Sequence, residues 1–175
     1  MAYTAPTTRS TGNLITAANW NTDLVDNIAF LANPPSCRVY NSAAISITTS
    51  GTAQALTFNS ERYDTDTMHD TATNTGRITI KTAGLYVVFA LVEFASNATG
   101  YRQAYIRLNG TTVIAAQSGP AATSLGTELN PTCIYKFAVN DYIEVLVAQL
   151  SGGALNVNAG GNFTPEFGAT WCGLG

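Results

Sequence analysis

Charge is what this sequence has least of. Only 11% of its 175 residues are charged, against ~25% in ordinary globular chains. Eight Lys and Arg face eleven Asp and Glu, a net charge of −3. With no basic stripe to neutralise phosphates, a nucleic-acid partner is not expected. Long apolar runs are absent as well. None approaches the ~18 residues that span a bilayer, so no membrane insertion is expected. The polar opening Met1 to Arg9 lacks the charged-then-apolar order of a secretory signal, which predicts synthesis in the cytoplasm without export by that route.

Reactive residues are scarce too. Cys37, Cys133 and Cys172 are widely spaced, with no CxxC or Cys/His cluster, so a zinc site is not expected. Reduced, half-buried thiols are the plain reading for a cytoplasmic product. A Cys37–Cys172 pair is the sharper alternative, because first and last strands often lie side by side in sandwiches. His69 is the only histidine, and it sits in a polar stretch with no nucleophile motif nearby. That predicts a solvated loop residue and no Ser-His-Asp or Cys-His chemistry. No P-loop, GxGxxG or HExxH occurs. Neither an enzyme nor a cofactor is expected.

What the chain does have is apolar residues, 46% of the total, enough for one real core. It divides near Pro34-Pro35. Residues 1–35 read as a polar arm and a helix, and residues 36–175 as a β domain. Within Leu14–Ala32, Trp20, Leu24, Ile28 and Leu31 recur at helical spacing. Thr16 is placed to cap the helix, and Asn33-Pro34-Pro35 stops it. One such stripe cannot bury itself; copies of the chain or a larger structure are its favoured cover. Beyond Cys37 the pattern is about ten short strands with turns between them. Asn109-Gly110 marks a tight hairpin, with Leu108 opposite Thr111, Ile106 opposite Val113 and Ala104 opposite Ala115. Asn59–Thr75, Ala95–Tyr101 and Gln117–Asn130 read as polar loops. The expectation is an all-β antiparallel sandwich.

Two strands carry the association argument. Leu85–Val92 is apolar on both faces, and Tyr142–Ala148 nearly so, whereas an antiparallel sandwich strand usually keeps one wet face. Leaving such a face in water wastes ~1.5–3 kcal/mol per large side chain. Tyr86, Val88, Phe89, Leu91, Tyr142, Leu146 and Trp171 are therefore expected in the core or between subunits. Asp64, Asp66 and Asp70 offer hard oxygens of the kind calcium takes, but at the wrong spacing for an EF-hand loop, and solvated caps explain them more simply. Glu93, inside an apolar strand, is expected to mark the strand's exit or to pair with Arg102 or Arg107. Tyr63 and Tyr101, with Asn97, are candidates to stack on and hydrogen-bond a host-surface glycan, from loops at the end of the sandwich away from the helix.

Phe58-Asn59-Ser60-Glu61-Arg62-Tyr63-Asp64 and Gly76 through Tyr86, with its Ala83-Gly84-Leu85-Tyr86 turn, resemble the C1q/TNF-like jelly-roll family. So do the Asn109-Gly110 hairpin, the Asn140-Asp141-Tyr142 turn and the closing Phe167–Leu174 run. The resemblance covers about residues 37–174 and implies a jelly roll that associates as a homotrimer. Thr11-Gly12-Asn13-Leu14-Ile15-Thr16-Ala17-Ala18-Asn19-Trp20-Asn21, with Phe30-Leu31 before Pro34-Pro35, resembles the N-terminal segment of tailed-bacteriophage virion proteins. It implies a structural particle protein whose residues 1–35 join other virion proteins. Tail placement, as a minor tail or receptor-binding protein for host attachment, is favoured. A capsid decoration or head-fibre role is the alternative, and a free lectin-like trimer the second alternative. There is no collagen repeat. Asn-x-Thr sequons occur at Asn97, Asn109 and Asn162, and Asn109 must stay bare in its turn, which suits a host that does not glycosylate it.

Overall fold

In a computed structural model, which describes residues 3–161 and 164–175, the chain is a two-layer β-sandwich with a helical segment at one end. The sequon at Asn162 lies outside the described residues. The helical run starts as α1 (Ala17–Trp20), loosens into a π-turn over Asn21–Val25 and ends as α2 (Asp26–Ala32). Thr16 caps it as expected: its Oγ1 accepts the Asn19 amide at 3.2 Å, and the Asn19 side chain reaches back to complete the box.

The strands are β1 (Ser36–Tyr40), β2 (Ile45–Ile47), β3 (Gln54–Ala55), β4 (Ser60–Asp64), β5 (Arg77–Thr79), β6 (Gly84–Phe94), β7 (Asn97–Leu108), β8 (Thr112–Ala122), β9 (Thr127–Leu129), β10 (Thr132–Phe137), β11 (Tyr142–Gln149), β12 (Leu155–Val157) and β13 (Glu166–Gly173). An eight-stranded sheet runs β2-β12-β6-β13-β1-β4, with β9 and β10 also paired to β6. A five-stranded sheet runs β3-β11-β7-β8, with β5 on β11. Every strand pair is antiparallel. Between the layers lie Val39, Phe58, Tyr86, Val88, Phe94, Ile106, Val145, Phe137 and Phe167, each 2% exposed or less. The inward residues of β6 alternate with outward ones along all eleven positions, the period-two rule of a pleated strand.

Three expectations about loops are corrected. The stretch read as a polar loop after Asn59 opens with strand β4, which pairs with β1. Ala95–Tyr101 is largely the start of β7, and Gln117–Asn130 is the end of β8 plus β9. Polar Thr, Ser and Gln residues hid these strands, because their outward faces meet water. The hairpin forms where expected, with Asn109 at φ 49° and Gly110 at φ 71°, but its register differs. Leu108 faces Thr112, Ile106 faces Ala115 and Ala104 faces Gln117, with an irregularity between Ile106 and Arg107. One extra turn residue and one bulge move the partner strand by two in all. A two-residue slip returns each side chain to its original face.

Candidate subunit interface

The outer face of the large sheet is a grid set by register. Arg38, Gly168, Phe89 and Thr132 stand abreast, as do Ser36, Thr170, Val87 and Ile134, while Tyr40, Glu166 and Leu91 form a third row. Leu85, Val87, Phe89 and Leu91 are only half-buried, and Ile134 is 66% exposed. Phe89 lies across Gly168, where a Cβ would come within 2.5 Å of its ring. The Arg38 guanidinium sits 5.9 Å from the Phe89 centroid. The β6 strip is thus part-covered within the protomer, with Ile134 its most exposed neighbour.

At its border Glu166, 1% exposed, accepts from both Arg38 and Arg62. Arg62 Nη2 is 2.8 Å from Oε1, and Arg38 closes on Oε2 through Nε and Nη2. Arg62 also stacks 3.9 Å over the Tyr40 ring. Two cations on one carboxylate leave the cluster with a net positive charge.

The companion argument from β11 is corrected. Its outward Glu144, Leu146 and Ala148 are 7%, 8% and 6% exposed within a single protomer. Arg77 and Arg107 from the flanking strands bond Glu144 at 3.1 and 3.0 Å, and Arg77 stacks 4.1 Å from the Tyr142 ring. Arg77 and Arg107 cover Glu144, while Leu146 and Ala148 lie opposite Tyr105 and Gln103 of β7, so this face is closed within the protomer. Of the seven residues assigned to core or interface, Tyr86, Val88 and Trp171 are core. Phe89 and Leu91 face outward on the large sheet. Tyr142 and Leu146 lie on the covered face of the small one.

The helix holds to the sandwich by a side the stripe did not name. Phe30, 2% exposed, packs edge-on against Trp171 at 4.9 Å and meets Tyr3 at 6.3 Å. Asn27 donates to the Thr4 carbonyl and accepts the Thr4 amide, so the arm folds back along the helix. Arg9 bonds Asp23, which together with the Thr7 amide holds that carboxyl below its usual range. Trp20, Leu24, Ile28 and Leu31 stay 54%, 39%, 56% and 60% exposed. The predicted stripe is present and bare.

The remaining candidates scatter. Asp64 accepts the Asp66 and His69 amides, and Asp66 accepts the Thr82 hydroxyl. Asp70 accepts the Ala72 and Thr73 amides, which lower its pKa. Asp64 and Asp70 cap loop backbone, Asp66 holds a side-chain hydroxyl, and no grouping able to hold a metal occurs among the described residues. His69 is not solvated: its side chain is fully buried. Nε2 faces the Thr75 carbonyl at 3.1 Å and so carries a hydrogen, while Nδ1 lies 3.0 Å from Glu61 Oε1. Glu93 pairs with neither arginine; Asn158 donates to it at 2.9 Å. Arg102 is wholly buried and donates to the carbonyls of Asn97, Thr99 and Tyr101.

Tyr63 and Tyr101 are 45% and 41% exposed, but one lies on β4 of the large sheet and the other on β7 of the small sheet. Asn97 Oδ1 is taken by the Thr99 amide. These three do not form one ligand site. The loop after β4 also starts beside the helix rather than away from it, since Thr65 donates to the Pro34 carbonyl. All three cysteines are free: Cys37 is buried and Cys172 exposed. Strands β1 and β13 are neighbours, yet Cys37 faces Ala169 across the ladder. Burial, with Asp64 and Glu61 nearby, pushes the Cys37 thiol far above its usual range.

No family model matches the sequence, and no curated protein matches it. Solved structures resemble the fold. The globular domain of zebrafish complement 1qA aligns over 81% of this chain and 99% of its own, at 12% identity and a TM-score of 0.57. Murine APRIL aligns over 79% and 98%, at 9% identity and 0.60. Eiger TNF from S. frugiperda aligns over 81% and 95%, at 12% identity and 0.57. Identities this low speak for architecture alone. The chain is an all-β, antiparallel β-sandwich with the C1q/TNF-like jelly-roll fold, preceded by a short helix.

Proposed function

We propose that this chain is a structural, surface-displayed protein of a bacteriophage particle: a homotrimeric jelly-roll knob with a binding rather than a catalytic role. The observation that carries the reading is apolar surface in two separate places, half-buried in one and exposed in the other. One is the Leu85–Val87–Phe89–Leu91 face of β6, suited to like protomers. The other is the Trp20–Leu24–Ile28–Leu31 stripe, held on the knob by Phe30 and suited to a receiving virion protein. A particle reading is favoured by the likeness of residues 11–31 to the lead segments of tailed-phage proteins. Many copies on one particle turn weak host contacts into useful avidity. The same knob serves a tail, for host attachment, or a head, as decoration or fibre.

The test is a particle-incorporation assay on the Trp20→Ser, Ile28→Ser double variant. Both side chains are more than half exposed, so folding and trimer formation should persist while incorporation is lost. Undiminished incorporation would refute attachment through the stripe.

A further inference from the structure

We propose that the cleft between the 67–74 loop and strand β5 binds a saccharide; this rests on the reading of the chain as a displayed binding knob and gives that knob a site. The cleft holds about 460 Å³, inside the ~300–1,000 Å³ range of small-molecule sites. Its floor is Met68, 1% exposed, and the buried His69. Its walls are Asp70, Asn74, Arg77, Thr79 and Lys81.

Two of the lining side chains, His69 and Arg77, are held before any ligand arrives. His69 ties the loop to β4 through Glu61 and to its own far end through the Thr75 carbonyl. Arg77 is pinned between Glu144 and the Tyr142 ring. Preorganised groups lose little freedom on binding.

Charge selects the class of ligand. Arg77 is paired with Glu144, and His69 faces Glu61. That leaves two opposite charges without an ion-pair partner among the described residues, the Lys81 ammonium and the Asp70 carboxylate. Asp70 uses Oδ1 for the Ala72 and Thr73 amides, so Oδ2 remains to accept. Lys81 Nζ, Thr79 Oγ1 and the Asn74 amide have no protein partner among the described residues. A phosphate or sulfate here would confront Asp70, and a cation would confront Lys81. A flat apolar ligand would strand both charges and the Thr79 hydroxyl. A neutral ring carrying several hydroxyls can donate to Asp70 and accept from Lys81, Asn74 and the Thr79 hydroxyl, which gives each of these four groups a partner. The cleft does not include Tyr63 or Tyr101, the aromatic candidates read from the sequence.

The full chain is to be screened on a broad glycan array, and the hits titrated by amide NMR, with inorganic phosphate as the ionic comparator. At least one neutral saccharide should bind, with shifts confined to residues 67–81. Lys81→Ala and Asp70→Asn should each weaken it about tenfold, one charge-assisted hydrogen bond apiece. Asp70→Asn keeps the acceptor used by the loop amides, so the loop survives in that variant. Three results overturn the proposal: no saccharide bound anywhere on the array, saccharide shifts that map outside the cleft, or phosphate binding that Asp70→Asn strengthens. Sedimentation of the same samples separates this from the knob reading, since a monomer that binds sugar in the cleft keeps the site and removes the trimer.

Discussion

Replacing Glu166 by Gln tests the polar border of the large-sheet face. The native carboxylate is 1% exposed and is shared by two guanidinium groups. Glutamine keeps the shape and one acceptor, but presents an amide NH2 to the other arginine. Breaking a buried ion pair from one side costs ~3–5 kcal/mol. Here Arg38 and Arg62 keep 31% and 28% side-chain exposure, so each can turn partly to water. The cost should therefore fall to about 2–3 kcal/mol after screening. In a chain of this length ~1 kcal/mol moves Tm by ~2–4 °C, so a fall of roughly 4–12 °C is expected. The variant also raises the positive charge of each outer face by one. Three such faces brought together repel one another and salt screens that repulsion, so as salt is lowered the proposed trimer should dissociate at a concentration where the parent still holds. Circular dichroism melts at one fixed protein concentration, paired with sedimentation across a salt series, read both effects. A Tm within 1 °C of the parent and an unchanged salt response would refute the reasoning, because the cluster would then be fully solvent-screened.

Three further predictions follow from single contacts. Gly168→Ala should displace the Phe89 ring, since the new Cβ falls 2.5 Å from it; the protomer should stay folded while association weakens, and unaltered sedimentation would contradict this. Thiol labelling of the native protein should modify exposed Cys172 quickly and buried Cys37 only on unfolding, because burial holds the Cys37 thiol protonated; equal rates at the two would contradict the placement. Asp23 has its folded pKa lowered, chiefly by its hydrogen bond to Arg9, so its contribution is present above the unfolded value near ~3.9 and lost as pH falls below it. Amide NMR should show the Thr7–Arg9 arm leaving the helix in that acid window, and Asp23→Asn should loosen the arm at neutral pH.

How much of this was legible in the sequence varies element by element. Asn109-Gly110 announced its hairpin because only residues that accept positive φ suit that turn. The bulge that reset the register left no mark, since Ile114 and its neighbours are all plausible strand residues. The helical stripe was legible from its period. Its anchor was not: Phe30 lies outside the stripe's spacing, and its partner Trp171 is remote in sequence. The two-faced hydrophobicity of β6 corresponds to an outward row, Leu85, Val87, Phe89 and Leu91, that is half-buried within the protomer. For β11 the same pattern misled, because Arg77 and Arg107, remote in sequence, stand on the adjacent strands β5 and β7 and bond Glu144. His69 looked solvated among Thr and Asp neighbours. Only the tertiary placement of Glu61 and Thr75 gives its two nitrogens partners, and with them the floor of the cleft.

The claim on which the account turns is that the Leu85–Val87–Phe89–Leu91 face is closed by identical neighbours. Sedimentation equilibrium of the purified full chain at micromolar concentration measures this directly. The account predicts a single species at three times the 18.4 kDa protomer, reduced to smaller species by Phe89→Asp. A parent chain that sediments as a stable monomer would contradict it.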